Sequence, residues 1–238
     1  SDNALSLNSF GMNFGSSDIK LSGTLRNYKG LLKEEVLKAE IPTMTGNYSS
    51  KLLDIDEMID WDEETDPNEP IPIDLPDMDA TVTANISKMV IFGINLTSVS
   101  GEGRMTPNNL TLKEANATLF SGQANGNMNW EVKEPLDTKI TFNGDLDSLT
   151  ASAFFRDTGF LGPKSTIHKY IQGAFNASHS YSSDLNQALS PDIATTQAEG
   201  TFGMTKARLK GHPIQKEVAK LHKIQELENM ALDEWTSK

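Results

Sequence analysis

The chain has 238 residues, with 33 acidic and 21 basic side chains, no cysteine and a formal net charge of −12 at pH 7. This length accommodates one large β domain or two small ones, and the lack of cysteine excludes disulfides and thiolate metal sites. Twelve acids and no base lie in Asp54–Asp79, so the remainder carries 21 acids and 21 bases. Because no basic stripe is present to neutralise phosphates, nucleic acid is not an expected partner.

Alternation of apolar and polar residues, the pattern of half-buried strands, dominates the chain from its beginning. Near Lys113–Glu114 the apolar phase slips by one residue, which predicts a bulge or a bend in the strand. The turn sequences "TPNN" and "SGQANG" join consecutive strands and predict an antiparallel meander. The alternating sets are Phe10, Met12 and Phe14; Ile19 and Leu21; Val82, Ala84 and Ile86; Val90, Phe92, Ile94 and Leu96; Leu110 and Leu112; Ala115, Ala117 and Leu119; Met128, Trp130 and Val132; and Ile140 and Phe142.

The character changes after Phe142. The segments "DSLTASAFFRDTGFL" and "SSDLNQAL" are typical of short helices, and "STIHKYIQGAFNASHSY" fits a strand or a helix. From Pro213, apolar residues recur every three or four positions through Leu227, which predicts an amphipathic helix over about 213–235. Its polar face mixes lysine and glutamate, so packing against the sheet or against a missing neighbouring segment is expected rather than binding to a membrane surface.

These elements predict a mainly β fold with peripheral helices (α+β). Its sheet is expected to be a curved antiparallel meander with a C-terminal amphipathic helix. The apolar stripes fit two arrangements, a closed core or an open groove that binds a ligand, and the pattern alone does not choose between them.

The acidic segment resembles a metal site only in part. Asp60, Asp62, Glu64 and Asp66 alternate as the first ligands of a helix-loop-helix calcium site do, but Thr65 and Ile71 occupy the positions that need glycine and glutamate. Since the segment is also rich in proline, residues 54–79 are interpreted as a solvated acidic connector.

Enzymatic motifs are also missing from the sequence. The segment "GFLGPKST" lacks the glycine spacing of a phosphate loop and is interpreted as a turn, and the four histidines do not form a zinc-binding pair. There is no nucleophile elbow. No catalytic residue, metal or cofactor is therefore predicted, and a non-enzymatic protein is expected.

Insertion of this chain into a membrane is not expected, because its most apolar run, Met89–Leu96, is far shorter than a bilayer span. The first residues do not form a signal peptide. Since strand-like alternation begins within them, the chain is predicted to be a piece of a longer protein.

The order of features from Lys51 onward resembles the C-terminal region of the AsmA family. A start like Leu-Asp-Leu-Asp, here Leu53–Asp56, precedes the acidic gap and the "LP" element at Leu75–Pro76. The segments that follow, "ANATLFSGQANG", "DTKITFNGDLDSLTASAFF", "IQGAFNASHSYSSDLNQAL" and "AEGTFGMTKARLKGHPI", also look like that family. The resemblance covers roughly Asp18 to the end, so residues 1–238 are interpreted as one fragment of an AsmA-like C-terminal region.

The resemblance implies a bacterial envelope protein whose body lies in the periplasm, attached to the inner membrane through a segment absent from this fragment. It implies a role in outer-membrane assembly, with phospholipid or another envelope lipid shielded or transferred along an apolar sheet face. The alternative is a structural or protein-interaction scaffold of the envelope with a closed core. The candidate lipid-lining residues are Phe92, Ile94, Leu96, Leu119, Met128, Trp130, Ile140 and Phe142.

Overall fold

A computed structural model describes residues 3–32, 41–58, 70–159, 161–162 and 164–237. The described residues are mostly in strands, and two α-helices are found among them. The helices are α1 (Ala151–Asp157) and α2 (Pro213–His222). The strands are β1 (Ala4–Phe14), β2 (Ser17–Arg26), β3 (Thr43–Asp54), β4 (Asp79–Ile91), β5 (Ile94–Thr106), β6 (Asn109–Leu119), β7 (Gly122–Glu134), β8 (Asp137–Thr150), β9 (Ile171–Leu185), β10 (Gln197–Lys210) and β11 (Asn229–Ser237).

The strands form one open sheet in which each is hydrogen-bonded to its neighbours in chain order, from β1 to β11. This arrangement confirms the predicted mainly β fold with an antiparallel meander and a C-terminal helix, and the sheet is mostly antiparallel. Strands β3 and β4 are a parallel pair. Parallel neighbours need a long connection, and the acidic segment between Asp54 and Asp79 supplies it.

The described contacts divide the chain into two compact units. Unit 1 comprises Ser1–Ala117, Asn125–Asn143 and Ser180–Ala198, and unit 2 comprises Thr118–Ala124, Gly144–His179 and Glu199–Lys238.

A left-handed residue other than glycine interrupts four of the described strands. Ser98 in β5, Glu114 in β6, Ser148 in β8 and Lys206 in β10 have φ between 49° and 57°. Such a conformation is uncommon outside glycine and marks a local irregularity in a strand. Glu114 lies where the phase slip predicted a bulge or a bend, so that prediction is confirmed.

In unit 2 these irregularities keep apolar residues on one side of the sheet. Leu146 and Leu149 flank the irregularity at Ser148, and Met204 and Ala207 flank the one at Lys206; all four contact the same core. Residues three apart in a regular strand point to opposite faces. The left-handed residue between them therefore lets both members of each pair pack into the core.

The core of unit 2 is built around α1 and its aromatic side chains. Phe154 stacks on Phe175 with ring centroids 4.2 Å apart, and Phe155 and Phe120 meet Phe154 edge to face. Leu149, at the end of β8, is fully buried. The segment "DSLTASAFFRDTGFL" thus contains the predicted helix, although its first four residues end strand β8.

The segment "SSDLNQAL" is not a helix, contrary to the sequence prediction. Its first half ends β9 at Leu185, and a turn follows in which the Asn186 side chain accepts hydrogen bonds from the Ala188 and Ser190 N–H groups. Asparagine favours turns for this reason. The longer segment "STIHKYIQGAFNASHSY" contains the predicted strand, since Ile171 to Tyr181 belong to β9.

The C-terminal helix is shorter than the predicted 213–235. It starts at Pro213 as expected but ends at His222, where Lys223 takes a left-handed conformation, and Asn229–Ser237 form strand β11. Residues 229–237 pair with Phe202–Lys210 of β10. Strand pairing thus overrides the helical periodicity in this segment.

Candidate functional site

Strands β1 to β5 of unit 1 place apolar residues on one face of the sheet. Residues in register on neighbouring strands lie on the same face, and alternate residues along a strand share a face. The register therefore groups three rows across these five strands: Leu5, Leu25, Met44, Ala80 and Met105; Leu7, Gly23, Gly46, Val82 and Gly103; and Phe10, Leu21, Tyr48, Ala84 and Gly101. We call this surface the apolar face of unit 1.

The other side of the same strands is polar. Its rows are Ser6, Thr24, Thr45, Thr81 and Arg104; Ser22, Asn47, Thr83 and Glu102; and Gly11, Lys20, Ser49, Asn85 and Ser100. A sheet with one solvated face shows this separation. This part of unit 1 is therefore strongly two-sided.

A bulge in β1 keeps that strand's apolar residues together. Leu7 is in register with Gly23 and Phe10 with Leu21, so β1 uses one more residue than β2 over this interval. Residues three apart in a regular strand lie on opposite faces, so the bulge is what brings Leu7 and Phe10 to the same face.

The edge strand β1 exposes its apolar side chains. Leu5, Leu7, Phe10, Met12 and Phe14 are all exposed, and Ala4–Phe14 contains no charged residue. Soluble proteins usually protect such an edge with charge or cover, and a contiguous exposed apolar patch marks a binding surface. At this edge the apolar face is therefore a candidate binding surface.

A groove of about 320 Å³ lies on this part of unit 1, lined by Leu5–Leu7, Leu21–Leu25 and Met44. Gly23 is one of its lining residues and is in direct register with Gly46 on β3. A Cβ on Gly23 would collide with the backbone of Thr45 and Gly46. Glycine at position 23 is therefore required for β2 and β3 to pair this closely beside the groove.

Tyr48 is the polar exception on the apolar face. Partial burial raises the pKa of its phenol above the ordinary value, against a smaller opposing effect of the Ser50 hydroxyl. The phenol is therefore neutral at physiological pH and adds no charge to this face.

The beginning of the acidic segment has a structural role in unit 1. The Asp56 carboxylate accepts hydrogen bonds of 2.7 Å from the Phe92 and Gly93 N–H groups, and Glu57 accepts one of 2.7 Å from Ser16 N–H. These carboxylates cap the β4–β5 and β1–β2 turns. The part of the predicted solvated connector that includes Asp60, Asp62, Glu64 and Asp66 lies outside the described residues.

A third carboxylate supports the adjoining part of β3. Asp18 accepts hydrogen bonds from the Lys51 and Leu52 N–H groups at 2.7 and 2.9 Å. The Leu52 N–H foremost, helped by Lys51 N–H and the Ser50 hydroxyl, holds the Asp18 pKa below its ordinary value despite some desolvation. Asp18 therefore remains ionised to lower pH than a free aspartate.

Phe92 lies in the turn that Asp56 caps and not in a strand, so its predicted position is wrong. The sequence placed it in a strand running on from Val90, but Phe92 and Gly93 have φ of 51° and 71° and form the β4–β5 turn. The Phe92 side chain is 63% exposed. Two consecutive left-handed residues suit a tight hairpin turn, which is the physical reason for the difference.

The other seven candidate residues are half-buried. Ile94 and Leu96 of β5 are in register with Ile91 and Met89 of β4. Leu119 ends β6 and packs against the core of unit 2. Met128 and Trp130 alternate on β7, and Ile140 and Phe142 alternate on β8, so each pair shares a face of its strand.

Sequence reasoning did not select the exposed apolar residues of the edge strand β1. Leu5, Leu7, Met12 and Phe14 were outside the candidate set, although β1 shows both apolar alternation and a complete lack of charge. Apolar alternation together with a lack of charge could have identified these residues, because an uncharged apolar strand at an edge is unusual.

Among the residues that the structure describes, no helix has the length and apolar content of a membrane span. Comparison of the chain with protein-family models, with curated proteins and with solved structures found no match. The AsmA resemblance therefore stays a hypothesis that rests on the order of sequence features.

Proposed function

We propose that this chain is the non-enzymatic periplasmic portion of an inner-membrane-anchored protein of outer-membrane assembly, and that it shields or transfers phospholipid along the apolar face of unit 1. The observation that carries the proposal is the exposed, uncharged apolar row on β1, continuous by register with apolar rows on β2 to β5. Acyl chains gain free energy when they leave water for such a surface. The polar opposite face keeps the same strands solvated.

The groove around Gly23 supports the acyl-chain assignment. Its volume of about 320 Å³ is at the lower end of ligand sites, and its lining includes leucine and methionine side chains without any charged one. A lipid tail needs apolar contact and no specific hydrogen bonds. A phospholipid headgroup would remain in water beyond the edge of the sheet.

A second candidate function is a protein-interaction scaffold of the envelope. The observation that favours it is the exposed edge of β1, where another strand adding to the sheet would satisfy free backbone groups. Under this alternative the apolar residues of β1 are covered by protein rather than by lipid.

Lipid extraction tests the lipid proposal. We expect organic extracts of the purified chain, analysed by mass spectrometry, to contain phospholipid, and a fluorescent phospholipid to bind the lipid-depleted chain in solution. A chain that carries no lipid and binds no labelled phospholipid would contradict the proposal and favour the scaffold.

A further inference from the structure

Helix α2 of unit 2 buries little of its own surface. Ile214 and Leu221 are 68% and 77% exposed, and Val218 between them is also exposed, so the expected packing of this apolar stripe against the sheet is wrong within the described residues. The side chains that α2 buries are Gln215 and Ala219. A helix of ten residues is marginal in water without tertiary packing. The hydrogen bonds at its ends are therefore important for keeping α2 helical.

The start of α2 is held by a reciprocal pair of side chains. The His212 Nδ1 accepts a hydrogen bond of 3.3 Å from the Ile214 N–H, and the Gln215 Oε1 accepts one of 3.1 Å from the His212 N–H. This is a capping box in which histidine takes the position usually occupied by serine or threonine. The Gln215 Nε2 also donates to the Leu209 carbonyl at 2.9 Å, which connects the capping box to the end of β10.

Histidine differs from the usual capping residues because its acceptor atom can take a proton near neutral pH. Nδ1 accepts a hydrogen bond only while the imidazole is neutral and carries its proton on Nε2. Protonation turns Nδ1 into a donor, which breaks the bond to the Ile214 N–H and brings two donors together. It also places a positive charge at the positive end of the helix dipole. Both effects destabilise the start of α2.

The side chains around His212 supply no substitute for the lost bond. Tyr170 meets the imidazole edge to face, with ring centroids 5.0 Å apart. None of the described carboxylates forms an ion pair with His212, so a protonated imidazole gains no partner in exchange for the Ile214 N–H. The titratable groups of the adjoining segments are His168, Lys169, Lys210, Lys216, Glu217 and Glu228.

The second histidine of α2 acts in the opposite direction. His222 lies in the last turn, where a positive charge interacts favourably with the negative end of the helix dipole. Protonation of His222 therefore favours the helix by one dipole interaction. Protonation of His212 costs a dipole interaction of the same kind and the N-cap hydrogen bond as well. The net effect of acid is to destabilise α2.

We propose that His212 is a pH-sensitive helix cap: α2 stays helical while His212 is neutral and unwinds when His212 takes a proton. The cap stabilises α2 at the upper end of the range in which histidine changes its charge, about pH 5 to 8, and this stabilisation is lost as the pH falls. The opening is local, because β11 beyond the helix is paired with Phe202–Lys210 of β10. The proposal does not depend on lipid binding by unit 1.

Hydrogen exchange followed by mass spectrometry tests this cap in the full chain. Exchange of the segment 213–222 is measured at about pH 8 and about pH 5, each time relative to the rate of an unstructured chain at the same pH. We expect the equilibrium constant for opening of α2 to rise roughly fivefold at the lower pH, which is the loss of a typical N-cap of about 1 kcal/mol. Protection of Phe202–Lys210 should not change.

Two variants separate the effects of the two histidines. In His212→Asn the side-chain amide oxygen accepts a hydrogen bond at both pH values, and asparagine is among the best N-cap residues. We expect this variant to keep its protection at the higher pH and to show no loss in acid. His222→Asn is the matched control at the other end of the same helix, and its loss in acid should be at least as large as that of the original chain.

Three results would overturn the proposal. They are equal protection of residues 213–222 at the two pH values in both the original chain and His222→Asn, an undiminished loss in acid in His212→Asn, and a simultaneous loss in Phe202–Lys210, which would assign the change to unfolding of the sheet. Lipid binding by unit 1 is measured separately with labelled phospholipid in solution, so its failure would leave this result standing.

Discussion

Replacing Phe154 by alanine is expected to lower the free energy of unfolding by about 3–5 kcal/mol. The ring is buried, stacks on Phe175 at 4.2 Å and meets the edges of two further phenylalanines. Its removal leaves a cavity between α1 and β9 and also removes these aromatic contacts. Urea denaturation followed by circular dichroism measures the change.

Phe92→Ala provides the matched control for Phe154→Ala. It deletes the same side chain from an exposed turn, and the expected loss is less than about 1 kcal/mol. Comparable losses in the two variants would contradict the conclusion that the phenylalanine-rich core around α1 stabilises unit 2.

Placing two carboxylates on the apolar face of unit 1 is expected to abolish lipid binding while leaving the fold intact. In Leu7→Glu/Met12→Glu the replaced side chains are 41% and 44% exposed on the edge strand. Little packing is therefore lost, whereas a carboxylate in contact with an acyl chain carries a large desolvation cost. We expect phospholipid affinity to fall at least tenfold and the melting temperature to change by a few degrees at most.

The control for this variant carries the same added charge on the opposite face of β1. Gly11 and Asn13 are exposed neighbours of Met12 and lie outside the groove lining, and Gly11→Glu/Asn13→Glu is expected to leave phospholipid binding unchanged. If instead the Leu7→Glu/Met12→Glu variant unfolds, the closed-core scaffold is the better account of this face.

Local sequence patterns predicted β1, β2 and β4 to β8, because side-chain alternation shows which face of a strand is buried, but they did not predict β3, β10 or β11. The one-residue slip of the apolar pattern at "LKEA" also predicted an irregularity at the position of the left-handed Glu114. The same spacing in "LTSV", "LDSL" and "MTKA" marks Ser98, Ser148 and Lys206, and it was not recognised. Reading all four as one recurrent pattern would have predicted every one of these irregularities.

Features that depend on distant residues could not be predicted in this way. The Phe92 turn is capped by Asp56, 36 residues earlier in the chain, and strand β11 forms where β10 offers a pairing edge. The apolar face of unit 1 emerges only when the register of five strands is known. The candidate lining set therefore missed β1, which carries the largest exposed part of that face.

The most direct test of the central claim is photo-crosslinking from adjacent residues of β1. A benzoylphenylalanine placed at Met12 lies on the apolar face, and one at Asn13 lies on the polar face of the same exposed strand. After irradiation with phospholipid vesicles, mass spectrometry should find lipid attached at position 12 and little or none at position 13. Equal labelling at both positions, or protein crosslinks alone at position 12, would contradict lipid binding by the apolar face of unit 1.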